Sequence, residues 1–151
     1  MLHNRGIALS RGGSRLYLYG YVQQLEPKPE RQIRYARLRQ DVTIRDIAGA
    51  LGPCPTDAPV VLLAHDPAPF HAYAGWGASL TLSGHIHGGM IRLPFVGGVV
   101  SPARSLFPKY DAGLFKEGPY KLYVSRGLGE SIVFRFFNTA EAVFLTLRRE
   151  E

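Results

Sequence analysis

Apolar and polar positions change their arrangement along the chain, and each arrangement predicts a different element. Arg15-Leu16-Tyr17-Leu18-Tyr19-Gly20-Tyr21 is rich in β-favouring residues and follows Gly12-Gly13-Ser14. It predicts a strand leaving a tight turn, at the start or edge of a sheet. Gln23–Glu30 is polar and carries Pro27 and Pro29, which block helical and ladder hydrogen bonds alike, so it predicts a loop. Ile44, Ile47, Ala48 and Leu51 then recur at helical spacing and make one apolar face. Asp41 stands ahead of them as the expected N-cap, and Gly52-Pro53 closes the helix.

Pro59-Val60-Val61-Leu62-Leu63-Ala64 is continuously apolar between prolines, the pattern of a strand covered on both faces. Pro67 to Ala74 predicts a short helix with proline in its first turn, and Ser79–Ser83 alternates as a second core strand. Three more β-like runs follow at Tyr120–Ser125, Ile132–Phe137 and Ala142–Leu147. Helices between the earlier strands and a strand-rich end define an α/β architecture without repeats or a clear linker.

Composition adds mainly exclusions. The 151 residues, 46% hydrophobic and 20% charged, suit one ordinary globular domain, and such a length buries roughly 68–70% of its unfolded surface without staples. Cys54 is the only cysteine, so no internal disulfide framework exists. Apolar runs such as Leu93–Val100 fall far short of the ~20 residues of a membrane span. The opening Met1-Leu2-His3-Asn4-Arg5-Gly6 lacks the order of a signal peptide, and a cytoplasmic location is the default expectation.

The net charge of +6 is local: residues 1–51 carry nine basic and four acidic groups, residues 52–151 nine and eight. Much of the excess lies at Arg31, Arg34, Arg37, Arg39 and Arg45. Such a run can track phosphates, but Tyr35 is the only aromatic among them. A solvated surface segment is the better reading, and nucleic acid is not an expected partner.

The chemistry concentrates at two strand ends. His65 follows the first core strand, and Gly84-His85-Ile86-His87-Gly88-Gly89 follows the second. Ligands of open α/β sheets gather beyond the carboxyl ends of strands. Two histidines one residue apart in a glycine-flanked loop can aim their rings at a common point. Imidazole suits Zn, Fe, Ni or Cu, and nearby carboxylates broaden the choice toward Mn.

At this point the chain resembles the calcineurin-like metallophosphoesterases, in their bacterial phosphodiesterase-like branch. Four blocks carry the resemblance in order: Leu62-Leu63-Ala64-His65-Asp66-Pro67, Leu82-Ser83-Gly84-His85-Ile86-His87-Gly88-Gly89, Leu122-Tyr123-Val124-Ser125-Arg126-Gly127-Leu128-Gly129 and Arg135-Phe136-Phe137-Asn138. Met90-Ile91 stands where relatives commonly have Gln-Val. The resemblance implies hydrolysis of phosphomonoesters or phosphodiesters at a dinuclear centre of Mn, Zn, Fe or Ni. His65 and His85 would hold one metal and His87 the other. Two such ions clamp a phosphate and activate a hydroxide between them.

The family's earlier motifs are absent from these 151 residues: there is no Asp-x-His, no Gly-Asp-x-x-Asp and no Gly-Asn-His. The chain is therefore expected to be the C-terminal half of a layered α/β/β/α sandwich, one partial domain over residues 1–151. Met1 would then be an internal start, one product of a split gene or a truncation. Three neutral imidazoles offset little of the charge of two dications, so at most one ion is expected here, and the motif holding the proton donor is missing. Asp66 could add a ligand or shape a turn before Pro67. Arg126 could fork onto a substrate phosphate or simply precede a turn.

Other candidates carry less. Gly127-Leu128-Gly129 lacks the third glycine of a dinucleotide loop, Ser125 and Ser131 have no neighbouring base, and His71, Cys54 and Trp76 read as packing or surface residues. Two functions from different classes stand. One is a metal-dependent phosphoesterase, either as part of a longer polypeptide or completed by a separate N-terminal half, with a phosphate-ester substrate and, as in some relatives, membrane association of the full-length protein. The other is a non-catalytic remnant or interaction domain with a vestigial metal site. Half a sandwich also leaves an apolar face uncovered, so self-association is expected without a partner.

Overall fold

A computed structural model of the chain describes residues 1–23, 42–101, 106–129 and 135–148. In chain order its elements are β1 (Arg5–Arg11), β2 (Ser14–Tyr21), α1 (Ile44–Leu51), β3 (Val60–Ala64), α2 (Phe70–Trp76), β4 (Leu80–Ser83), β5 (Ile91–Leu93), β6 (Gly97–Val100), β7 (Gly113–Glu117) and β8 (Tyr120–Val124). The fold is mixed α/β, as the pattern predicts. Most of the loop expected at 23–30, the N-cap position 41, most of the arginine run and residues 132–134 of the strand expected at 132–137 lie outside the described residues, and 135–137 make only an isolated bridge from Phe136 to Ile91.

A six-stranded sheet runs in the order β1-β2-β3-β4-β8-β7, and β5-β6 form a separate antiparallel pair. The three central pairings are parallel, which places the carboxyl ends of β3, β4 and β8 along one rim. Antiparallel hairpin partners close both flanks. The β1–β2 hairpin turns on Gly12 and Gly13, whose φ values of 56° and 75° are the left-handed pair that a two-residue loop requires.

Alternation along the strands sorts residues onto two faces. Tyr19, Tyr21, Val60, Leu62 and Ala64 share a cluster with Ile47, Tyr73 and Trp76 of the helices, so α1 and α2 cover that face. Trp76 stacks edge-on against Tyr19 and donates from Nε1 to Gly52 O at 2.9 Å. It thus locks the two helices to the sheet rather than packing only on the loop before β4. The pairing registers put Ile7, Leu9, Leu18, Leu63, Leu82 and Leu114 on the other face. There Ile7 is 43%, Leu9 45%, Leu63 39% and Leu114 54% exposed.

Three expectations are corrected. The N-cap of α1 is Thr43, not Asp41. Its hydroxyl accepts from Asp46 N while the Asp46 carboxylate accepts from Thr43 N, and this reciprocal box fixes the helix start two residues later than expected. The second helix begins at Phe70 instead of Pro67, because Asp66 Oδ1 accepts from Ala68 N and the chain turns once before the helix starts. Ala142–Leu147 forms no strand. Its apolar alternation is a strand's, but no strand among the described residues offers it a backbone ladder, and Phe144 is 94% exposed.

Candidate functional site

His65 leaves the end of β3 and His85 lies two residues beyond β4, so the parallel pairing of these strands sets them side by side. Gly84 N donates to His65 O at 3.1 Å and ties the two loops together. The imidazoles meet edge-to-face with centroids 4.9 Å apart, and His85 Nδ1 lies 3.1 Å from His65 Nε2. Two nitrogens each about 2.1 Å from one ion stand roughly 3.0–3.4 Å apart, so this pair has the bite of adjacent ligands on a single metal.

His87 sits in the same loop, on the far side of Ile86, which is buried and anchors the turn. His85 and His87 both adopt positive φ, 66° and 54°, a left-handed backbone that favours glycine. Arg135 Nη2 approaches His87 Nδ1 at 3.2 Å. A guanidinium only donates, so Nδ1 accepts and the ring proton lies on Nε2. Burial pushes the His87 pKa down, with help from the charges of Arg135 and His65, against a hydrogen bond to the Arg126 backbone that raises it. The neutral ring is favoured.

His65 and His85 are therefore brought together, while the lone pair of His87 is turned onto Arg135. Among the described residues, no three His, Cys, Asp or Glu side chains are placed to hold a metal ion. The donors thus fit one ion through the His65–His85 pair, but not a preformed three-histidine site. Asp66 shapes the turn before α2, and its carbonyl accepts from the buried Tyr73 hydroxyl at 3.0 Å.

Arg126 is engaged by Glu141, which accepts from Nε at 2.8 Å, from Nη2 at 2.6 Å and from the backbone N–H at 2.9 Å. That fork is already filled from within the chain. Ser125 Oγ accepts from Gly127 N in a turn, and the exposed His71 pairs with Glu117 at 2.6 Å. Beside His65 an open groove of about 750 Å³ runs between Leu63, Leu82 and Tyr123 on the sheet and Val143 and Leu145 of the C-terminal segment.

Two residues carry more of the site than sequence reasoning assigned them. Arg135 contacts the His87 ring, and Asn138 Nδ2 donates to the carbonyls of His87 and Gly89. Both lie in the last block of the family resemblance. No local spacing announces a contact across 48 to 51 residues, so only membership of that block could have singled them out.

The rim of histidines on parallel strand ends and the four ordered blocks point to one class: the chain fits the C-terminal half of a calcineurin-like metallophosphoesterase domain. It is similar to the uncharacterized metallophosphoesterase YkuE of Bacillus subtilis, with 32% identity over 143 residues that cover 93% of this chain and 49% of that protein. It is also similar to the phosphodiesterase YaeI of Escherichia coli, with 33% identity over 103 residues, 66% of this chain and 37% of that protein. The chain thus spans half or less of the length of these curated relatives. No family model matches it, and no solved structure does. The relatives' names indicate a metallophosphoesterase or phosphodiesterase family. Among the described residues, no helix is long and apolar enough to cross a membrane.

Proposed function

We propose that the chain is the C-terminal half of a metal-dependent phosphoesterase, and that it supplies the imidazole side of a centre whose carboxylates come from a complementary N-terminal half. The observation that carries this reading is the 3.1 Å approach of His85 Nδ1 to His65 Nε2 at the rim of parallel strands. His65 and His85 would hold one divalent ion, and His87 would serve a second once its lone pair leaves Arg135. A bound ion of this kind supplies Lewis acidity toward a phosphoryl oxygen and acidifies its own water. The chain's own contribution is positional: β3 and β4 set the two rings at ligand spacing, and Arg135 brings a permanent positive charge beside His87.

The uncovered sheet face supports a layered arrangement in which the complementary half packs its own sheet there. The groove joins that face to His65, so an occupant's side chains would arrive at the histidine rim. Loss of leaving-group protonation in the isolated chain follows from the missing Gly-Asn-His motif. Hydrolysis therefore belongs to the assembled domain, with phosphomonoesters and phosphodiesters as substrate class.

Calorimetry with Mn²⁺ or Zn²⁺ and turnover of an aryl phosphodiester test the proposal, with the chain alone and with the N-terminal half of YkuE added. Binding of one ion, abolished by His85→Ala, and turnover only in the mixture are expected. Absence of metal binding in either setting overturns it. The second reading, a non-catalytic interaction domain, is favoured by the turning of His87 onto Arg135. It predicts partner binding that His85→Ala leaves untouched.

A further inference from the structure

Residues 135–141 lie as a strap along the histidine loop. Arg135 reaches the His87 ring, while its guanidinium also donates to Gly129 O at 2.7 Å and Gly127 O at 3.3 Å. Phe136 N donates to Met90 O and Phe136 O accepts from Arg92 N, at 2.9 and 3.0 Å. Asn138 Nδ2 donates to His87 O at 2.5 Å and to Gly89 O at 2.6 Å.

The loop beneath needs such a hold. His85, His87, Gly88 and Gly89 all take positive φ, and for residues with a Cβ that conformation is intrinsically disfavoured. Gly88 leaves room for the strap: a Cβ there would stand 2.7 Å from both Arg126 Cγ and Asn138 Oδ1. Asn138 is only 5% exposed, and its Oδ1 finds no partner among the described residues. Rotating the amide would set that oxygen against two carbonyls, so the double donation fixes its orientation. A buried amide that leaves its acceptor unmet in order to donate twice is kept for the donation.

We infer that Asn138 and Arg135 are positioning residues for His87: Asn138 fixes the backbone that carries the ring, and Arg135 fixes its rotamer and tautomer. The consequence for metal binding rests on the functional reading above, whereas the positioning rests on these contacts alone.

Nitrogen NMR of the histidine side chains in the metal-free chain separates the two. Wild type is expected to show His87 as a single Nε2–H tautomer. Asn138→Ala and Arg135→Lys are expected to give exchange-averaged His87 signals with His65 and His85 unmoved, a change that a purely stabilising role would not produce in the folded molecules. Co²⁺ titration followed by visible absorbance should then show the ion at His65 and His85 bound with wild-type affinity in Asn138→Ala, since His87 is not its ligand in this chain. A folded Asn138→Ala chain with wild-type His87 signals, or one whose His65 and His85 signals and cobalt affinity change along with His87, overturns the inference. Should Asn138→Ala not fold, Arg135→Lys decides by the same signals. Failure of wild type to bind cobalt strikes the metal reading instead, and the imidazole signals still decide the positioning.

Discussion

Arg126 and Glu141 show how a residue's role depends on a partner far along the chain. A serine and a glycine flank Arg126 in sequence, which suggests a fork open to phosphate, yet Glu141 fills that fork from fifteen residues away. Burial raises the Glu141 pKa, but the hydrogen bonds and charge of Arg126 outweigh it and hold the carboxyl below the usual glutamate range. A depressed carboxylate contributes stability above its unfolded pKa and loses it as pH falls through the folded value. Glu141→Gln should therefore cost about 2 kcal/mol at pH 7, the scale of a charge-assisted hydrogen bond in a partly buried site. That deficit should shrink as pH falls below the usual glutamate range and through the depressed folded value, where the wild-type carboxylate also protonates. Urea unfolding of both proteins at pH 7 and pH 3 checks it, and a deficit independent of pH would refute the assignment. The histidines were legible because strand ends and flanking glycines are local signals. Arg135 and Asn138 were not, because their meaning lies wholly in contacts with the loop at 87–89.

At the scale of elements, legibility follows burial. β3 is a continuous apolar run because it lies between two parallel neighbours, and the sequence reading of 59–64 missed its start by one residue. The flanks were harder. β1 alternates Ile7 and Leu9 with Gly6, Ala8 and Ser10 ahead of the Gly12-Gly13 turn, a weak pattern that becomes a strand only through its register with β2. β5, β6 and β7 are short, and hairpin pairing rather than intrinsic preference defines them. Helix α1 was found from its apolar face, but its start depended on a capping box that competes with Asp41 as a plausible cap. Thr43 holds Asp46 N, and its own N–H and hydroxyl hold the Asp46 carboxylate, whose pKa they lower. Thr43→Ala should cost about 1 kcal/mol, as for other lost N-caps. Thr43→Ser should restore most of it. Thermal melts of the three proteins measure this, and equal losses in both variants would show that the hydroxyl does not cap the helix.

The whole molecule is lopsided, and its lopsidedness makes a physical demand. One face of the six-stranded sheet is sealed by α1 and α2, while Ile7, Leu9, Leu63 and Leu114 remain exposed on the other. Partly exposed apolar residues spread over β1, β3 and β7 of one face are the kind of surface that marks an interface. Absent motifs suggest a complementary half, but which surface such a half would cover required the strand registers. In solution this face should drive concentration-dependent association, since pairing two copies removes the same area from water that the complementary half would cover. Replacing Leu9 and Leu114 with lysine places two charges on that face, on the outer strands β1 and β7. Sedimentation velocity across a concentration series should show the wild-type chain self-associating and the double variant monomeric, with superimposable circular dichroism spectra. The same substitutions should abolish capture of the YkuE N-terminal half while leaving metal binding at His65 and His85 intact. Retained capture by the double variant would place the complementary half on some other surface.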